Sequence, residues 1–199
     1  MKLSRRHFVG AIASGTAGLV APAAFAAVRS GERPTLLAQA MAAMDSHGSR
    51  IRYRDLIGLV DFSAPSGAPR FQIVDVAGGK VLANHLVAHG RGSDPGNTGL
   101  VQRFSNRPGS NASSRGSFLA DETYYGKHGR SRRLVGLDPE NDMAHARAIV
   151  IHGAGYVSRG MASSSGRVGR SLGCFAVSQR DISEVLAQLG PGRLLFAGK

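Results

Sequence analysis

The spacing of hydrophobic and polar residues changes often along this chain, which predicts many short helices and strands. Apolar residues recur at helical spacing over residues 34–46, where Pro34 suits a first turn, and again from Ile182 to Leu189. Apolar or alternating runs bounded by Gly, Pro, Ser or Asn predict strands. These runs are residues 56–62, 70–76, 81–87, 148–151 and 194–196, with a hairpin turn over 77–80.

The middle of the chain, residues 90–129, has little apolar periodicity and is rich in Gly, Ser, Asn and Arg. This composition is compatible with a flexible linker. However, Phe104, Phe118 and Tyr124 are spread through the segment and can tie it to a core. Long loops inside compact domains are usually functional. We therefore expect short strands and ordered loops around a cleft.

The first residues resemble an export signal. Arg5 and Arg6 precede an apolar run from Val9 to Leu19, and Ala24-Phe25-Ala26 matches a small-residue cleavage site. The alternative, a membrane anchor, is disfavoured because the run is shorter than the ~20 residues that a span needs. We predict a twin-arginine signal over residues 1–26, a helix and linker over 27–54, and the main domain over 55–199. The mature protein would be periplasmic or secreted, with no membrane span.

The chain is basic, with 25 Lys and Arg against 13 Asp and Glu. Without Lys2, Arg5 and Arg6 of the signal, 22 basic residues remain against 13 acidic ones. Such a surface suits nucleic acid, but export argues against that partner. An anionic or carboxylate-bearing substrate of the cell envelope fits better, and a basic surface that only aids solubility is the alternative.

Cys174 is the single cysteine of the chain. It is therefore buried and inert, paired between chains, or a reactive thiol. Its surroundings favour the third alternative, because His152 follows a buried strand and can take the thiol proton. Ser171 and Gly173 make a tight turn before Cys174, and amides around the sulfur are candidate oxyanion donors. A helix close after the turn would also favour the thiolate. If Cys174 is catalytic, we expect its pKa to be depressed.

Further polar residues near these motifs are candidates for substrate binding. An arginine can hold a substrate carboxylate with two hydrogen bonds, so Arg170 and Arg167 are proposed for that role. Tyr156 follows the base and can line the cleft. His89 either contacts substrate or braces its glycine-rich loop, and His128 has the same two alternatives. No spacing of His and acidic residues indicates a metal site.

Several short motifs in order give the chain a resemblance to the L,D-transpeptidase (YkuD-type) catalytic domain, in a divergent murein L,D-transpeptidase branch. The motifs are Ala88-His89-Gly90, Phe104-Ser105-Asn106, Ser113-Ser114-Arg115-Gly116, Gly126-Lys127-His128-Gly129, Ile151-His152-Gly153-Ala154 and Gly169-Arg170-Ser171-x-Gly173-Cys174. The resemblance implies a mainly β fold, sandwich-like or barrel-like, with a few short helices, a lidded cleft and no cofactor. It also implies that a backbone carbonyl orients the base.

The same resemblance implies acyl transfer on peptidoglycan. Cys174 would attack the carbonyl of the third residue of a stem peptide, D-alanine would leave, and a second stem would resolve the thioester as a 3→3 crosslink. His152 would be the base, and Ser171 and Gly173 would shape the turn. Two positions depart from the family pattern: Leu172 replaces a histidine, and Ala176 replaces a commonly polar residue. Hydrolysis by an L,D-carboxypeptidase or amidase, or a non-catalytic wall-binding role, are the alternatives.

Overall fold

The computed structural model describes residues 34–199. The twin-arginine signal predicted over 1–26 lies outside these residues. Three helices occur in the described part of the chain: α1 (Leu37–Ser46), α2 (Arg159–Ser165) and α3 (Ile182–Gln188). None of the helices in this range is both long enough and apolar enough to cross a membrane.

Nine strands from the described range form one mixed sheet. In chain order they are β1 (Leu56–Asp61), β2 (Phe71–Asp75), β3 (Lys80–His85), β4 (Val87–Ala88), β5 (Gly116–Gly126), β6 (Gly129–Gly136), β7 (Val150–Ala154), β8 (Phe175–Ser178) and β9 (Leu194–Gly198). Their order in the sheet is β3-β2-β1-β9-β5-β6-β7-β8-β4. The pairs β1/β9 and β7/β8 are parallel, and the other neighbours are antiparallel.

The sheet curls on itself. Strands β3 and β4 form its two opposite edges, yet only Leu86 separates them along the chain. One residue spans a few ångströms, so the two edges must lie close together. Arg70, just before β2, reinforces this closure by donating from Nε and Nη2 to the Val87 carbonyl at 3.2 and 3.0 Å. The mainly β prediction is confirmed, and the architecture is the barrel-like alternative.

The side chains that fill the interior follow the two-residue period of the strands. Ile149 and Ile151 of the β7 segment point into the main core together with Phe175 and Val177 of β8. The alternate residues of β7 therefore face outward, and His152 is one of them. Helix α2 covers part of this outer face in a small cluster with Ala88, Ala154 and Ala176.

Helix α1 covers a different part of the outer face. Its residues Leu37, Ala40 and Met44 pack against Ile57 of β1 and Leu194 of β9. The helix lies within the range 34–46 predicted from its apolar spacing. It shares a hydrophobic cluster with the sheet, so it is packed as part of the same domain.

Three sequence-based expectations are corrected by the structure. Helix α2 lies in the Gly- and Ser-rich segment between His152 and Cys174, where no helix was predicted. Cys174 is followed at once by strand β8, and α3 begins only at Ile182, so the predicted helical contribution to the thiolate is wrong. His152 is the middle residue of β7 rather than the residue after a strand.

Candidate active site

The turn before β8 presents Cys174 at the start of a strand. Ser171 Oγ donates to the Cys174 carbonyl at 2.7 Å and accepts from the Gly173 amide at 3.1 Å. Gly173 has φ +121°, and a Cβ there would lie 2.7 Å from the Ala112 carbonyl oxygen. Only glycine fits this backbone conformation and this space. Because Ser171 occupies the Gly173 amide, Gly173 gives the turn its shape and is not a free oxyanion donor.

The sheet register places β7 beside β8, the strand that Cys174 precedes. In the parallel pair β7/β8, Ile151 lies opposite Phe175 and His152 opposite Ala176. Continuing this register by one residue brings Cys174 to the level of Val150, and the Cys174 side chain packs against the main core cluster. The thiol itself donates to the Ala148 carbonyl at 3.6 Å. Cys174 therefore lies against the backbone segment that leads to His152, and the thiol proton points to a backbone acceptor.

The imidazole of His152 has a defined proton arrangement. Its Nδ1 lies 3.0 Å from the Gly153 carbonyl oxygen. A carbonyl can only accept, so Nδ1 carries the hydrogen and Nε2 of the neutral ring carries the lone pair. Within residues 34–199, Nε2 has no hydrogen-bond partner. Burial lowers the pKa of His152, and His128 and Lys127 lower it further against the opposing bond to Gly153. The ring is thus a neutral base at neutral pH.

The turn between β5 and β6 covers His152. The His128 ring stacks on the His152 ring with centroids 4.0 Å apart and an interplanar angle of 20°. Burial, with a contribution from Lys127, lowers the pKa of His128. In the sequence, Gly126 and Gly129 place His128 in a glycine-rich loop. The contact with the base depends on how β5, β6 and β7 pair, which local sequence does not encode.

Cys174 is a protonated thiol in this conformation. Burial raises the pKa of Cys174, and the nearby Val150 amide, Arg147 and Lys127 oppose that rise. Burial thus holds the pKa of this thiol above its ordinary value, opposite to the depressed pKa expected of a catalytic thiol. A raised pKa for the thiol and a lowered pKa for the base favour a neutral pair, in which the proton moves as the sulfur attacks.

Residues 29–197 match the family model of the L,D-transpeptidase catalytic domain (YkuD_2). The chain belongs to this L,D-transpeptidase catalytic domain family. No curated protein matches the chain significantly.

Several solved L,D-transpeptidase structures are similar at low identity. One from Mycobacterium smegmatis is 14% identical with a TM-score of 0.46, covering 73% of this chain and 59% of its own. One from Xylanimonas cellulosilytica is 16% identical with a TM-score of 0.45, covering 80% of this chain and 69% of its own. L,D-transpeptidase 3 from Mycobacterium tuberculosis, solved with a faropenem-derived adduct, is 10% identical with a TM-score of 0.46, covering 73% and 60%. This chain thus spans about three-fifths of the first of these relatives.

The proposed carboxylate-binding arginines of this L,D-transpeptidase domain lie beside residues 171–173. This turn precedes the proposed nucleophile Cys174 and is called the nucleophile turn below. Arg170 donates from Nη1 to the Asp94 carbonyl. Arg167 is half-buried, and its Cβ packs against Gly99. The cations whose charge acts on Cys174 are instead Arg147 and Lys127. Arg147 could not be singled out from the sequence, because its position next to the turn arises through space.

Tyr156 is close enough to the nucleophile to be affected by its charge. Burial, with a contribution from the Cys174 charge, raises the pKa of Tyr156 to about 12. The Gly169 amide donates to the Tyr156 carbonyl at 2.8 Å, which ties this residue to the segment that leads into the turn. A phenol with this pKa keeps its proton and can donate a hydrogen bond.

His89 has no accessible surface, so it cannot contact substrate in this conformation. Arg70 donates to its Nδ1 at 2.7 Å, and its Nε2 therefore donates to Asp94 at 3.3 Å. Burial, with a contribution from Arg70, lowers the pKa of His89 to about 4. The His89 carbonyl accepts from the Ser171 amide at 2.9 Å. His89 therefore braces the loop against the nucleophile turn, as the second of its two alternatives proposed.

The two departures from the family pattern have different surroundings. Ala176 is fully buried in the cluster under α2, so a polar side chain at this position would have to be buried there. Leu172 is 54% exposed at the tip of the nucleophile turn. Residues 34–199 contain no cluster of three or more His, Cys, Asp or Glu side chains able to hold a metal ion.

Proposed function

We propose that this protein is an exported cysteine acyltransferase that acts on peptidoglycan stem peptides. Cys174 is the nucleophile and His152 is its base. The observation that carries the proposal is the Nε2 lone pair of His152, which has no hydrogen-bond partner within residues 34–199, two residues along from the segment whose backbone contacts Cys174. Membership of the L,D-transpeptidase catalytic domain family supports the class of reaction.

In the first half-reaction, the Cys174 thiol gives its proton to His152 Nε2 as the sulfur bonds to the carbonyl carbon of the third stem residue. Negative charge develops on the carbonyl oxygen. The Cys174 amide and the Tyr156 hydroxyl are the candidate donors for this oxyanion. When the tetrahedral intermediate collapses, the carbon–nitrogen bond breaks and His152 protonates the departing D-alanine. A Cys174 thioester remains.

In the second half-reaction, an amine from another stem attacks the thioester carbon. His152 takes a proton from that amine, the carbon–sulfur bond breaks, and the sulfur recovers the proton. The product is a 3→3 crosslink and the enzyme is regenerated. If water replaces the amine, the same intermediate gives an L,D-carboxypeptidase.

Both half-reactions require a neutral imidazole at His152. A ring protonated at neutral pH could not accept the thiol proton, and burial together with His128 and Lys127 lowers the pKa of His152. The Gly153 carbonyl keeps Nδ1 protonated and holds the ring orientation. The Gly153 carbonyl therefore orients the proposed base His152, a role that a carboxylate plays in other enzymes.

The test is product analysis by mass spectrometry with tetrapeptide muropeptides, comparing the purified protein with Cys174→Ala. Loss of D-alanine with new dimers, absent from the variant, is the expected result. Loss of D-alanine without new dimers would indicate the carboxypeptidase reaction instead. No change with either protein would contradict tetrapeptide processing and favour amide cleavage of another wall-linked substrate or a wall-binding role.

A further inference from the structure

Arg147 is a half-buried cation held entirely by neutral acceptors. Its Nη1 donates to the Ser105 carbonyl at 2.8 Å and to Ser114 Oγ at 2.7 Å. Its Nη2 donates to the Ala112 carbonyl and to Ser110 Oγ. Within residues 34–199 no carboxylate lies within ion-pair distance of this guanidinium. Placing a cation away from water without a counter-ion is costly, so the site holds a positive charge that nothing in the resting structure neutralises.

This charge lies directly behind the nucleophile turn. A Cβ built on Gly173 would be 3.1 Å from Arg147 Nη2, so the guanidinium contacts the backbone that leads into Cys174. The next residue, Ala148, has φ +53°, a conformation that residues other than glycine rarely adopt. The Ala148 carbonyl accepts the thiol hydrogen bond. One dipeptide therefore provides both the cation behind the turn and the acceptor for the thiol proton.

We propose that Arg147 is the counter-ion of the nucleophile, and that its guanidinium stabilises the negative charge on Cys174 when the thiol loses its proton. This inference deepens the proposed function, on which it rests. Arg147 acts through the turn rather than by touching substrate, so it is a positioning and charge-stabilising residue. Its four hydrogen bonds fix the charge in place before the reaction begins, which removes the cost of reorganising it.

Three other titratable groups belong to the segments around Cys174. Lys127 comes from the β5–β6 turn and is exposed, so solvent screens its charge. Tyr156, after β7, keeps its proton. His152, on β7, is neutral at rest. Arg147 is thus the one fixed and partly desolvated cation among these groups. Its charge lowers the pKa of Cys174 and partly offsets burial.

Because Cys174 is the only cysteine of the chain, its alkylation by iodoacetamide reports directly on the thiolate. The rate would be measured against pH for the full chain and for Arg147→Gln. Losing a neighbouring cation shifts a thiol pKa by about one unit, so the thiolate fraction at pH 7 should fall roughly tenfold. This readout requires no peptidoglycan turnover, so it can fail or succeed independently of the proposed function.

The matched control is Arg132→Gln. Arg132 is also anchored by neutral acceptors, the Asp121 and Leu186 carbonyls and the Thr123 hydroxyl, but its charge does not contribute to the pKa of Cys174. The control should keep the alkylation profile of the wild type. A folded Arg147→Gln protein with an unchanged thiol pKa would overturn the proposal.

A second pair of variants leaves Arg147 in place, in case Arg147→Gln does not fold. Ser110→Asp would put a carboxylate beside Nη2 and neutralise the guanidinium, and Ser110→Asn is its uncharged counterpart. The Asp variant should alkylate several-fold more slowly at pH 7 than the Asn variant. Equal rates in this pair would contradict the counter-ion role.

Discussion

Two buried histidines flank the nucleophile turn, and the structure uses them in different ways. His89 and His152 each follow an apolar run and precede a glycine, so their local sequences are alike. Both nitrogens of His89 are engaged, one by Arg70 and one by Asp94. His152 has one nitrogen bound to a backbone carbonyl, and its other nitrogen has no partner in the described part of the chain, residues 34–199. The unused lone pair, rather than burial or motif, distinguishes the proposed base His152 from the bracing His89.

The charges around the two rings reinforce this difference. An arginine and an aspartate on opposite sides of His89 balance each other, and changing its protonation would disrupt both bonds. The neighbours of His152 are a second imidazole and the exposed Lys127, which favour a neutral ring but form no bond to Nε2. A buried histidine that keeps one nitrogen free is able to exchange a proton, whereas a saturated one is part of the scaffold.

The largest expected effect that separates the two histidines is on catalysis. His152→Gln should lower kcat by on the order of 10²–10⁴, because general-base catalysis is lost while the strand remains. The melting temperature should change little. Steady-state release of D-alanine from tetrapeptide stems, with thermal unfolding measured on the same sample, checks both expectations. Activity close to that of the wild type would remove His152 from the role of base.

The next effect in size is on stability at His89. His89→Ala should lower the free energy of unfolding by roughly 2–4 kcal/mol, because Arg70 and Asp94 lose buried partners and a cavity forms. Activity per folded molecule should stay within a few-fold of the wild type. Urea unfolding measures the first quantity, and turnover below the unfolding range measures the second. His89→Gln, which can both accept and donate, should recover part of the loss. A stable protein without activity would reverse the assignment.

A smaller effect is expected at His128, through the pH profile. His128 lowers the pKa of His152, so His128→Ala should raise that pKa and move the acidic limb of kcat/KM to higher pH. His128→Phe keeps a stacked ring without a titrating group. Comparing the two variants between pH 5 and 8 shows whether the pKa of His152 depends on the ring that covers it or on the charge of His128. An acidic limb that stays in place in both variants would remove His128 from any influence on the base.

The last effect is the pH dependence of stability at His89. Its folded-state pKa of about 4 lies below the unfolded value of 6.5. The unfolded chain therefore binds the proton first, so stability is complete above pH 6.5 and declines as the pH falls towards 4. His89→Gln should flatten this part of the curve. Melting temperatures measured at several pH values for both proteins test the sign, and equal slopes would contradict it.

Much of the sheet was predictable because apolar alternation is a local property. The runs over 56–62 and 70–76 became β1 and β2, and the final run became β9. The run over 81–87 was interrupted at Leu86, where the chain passes from one sheet edge to the other. Local sequence cannot show such a crossing, because it depends on the order of all nine strands.

Helix α2 was missed although its end signals were present. Ser158 Oγ accepts from the Met161 amide at 3.2 Å, and Gly166 ends the helix with φ +68°. The serines and glycines in between obscured these signals, because such residues are also typical of loops. Packing of Ala162 in the cluster with Ala154 and Ala176 stabilises the helix instead.

The sequence predicts those residues of the candidate site that lie next to each other in the chain or in a shared motif. Cys174, Gly173 and Ser171 are adjacent in sequence, and His152 follows from the same resemblance. The contributions of Arg147 and His128 could not be derived in this way. Each reaches the site from a distant segment, through the packing of the 105–114 loop and the β5–β6 turn.

The most direct measurement of the central claim is the intact mass of the protein after brief incubation with a tetrapeptide stem. The account predicts a covalent adduct on Cys174 whose mass equals the stem without its terminal D-alanine. The adduct should form slowly in His152→Gln, at the wild-type rate per folded molecule in His89→Ala, and not at all in Cys174→Ala. An adduct that forms equally fast in His152→Gln, or that persists in Cys174→Ala, would contradict the account.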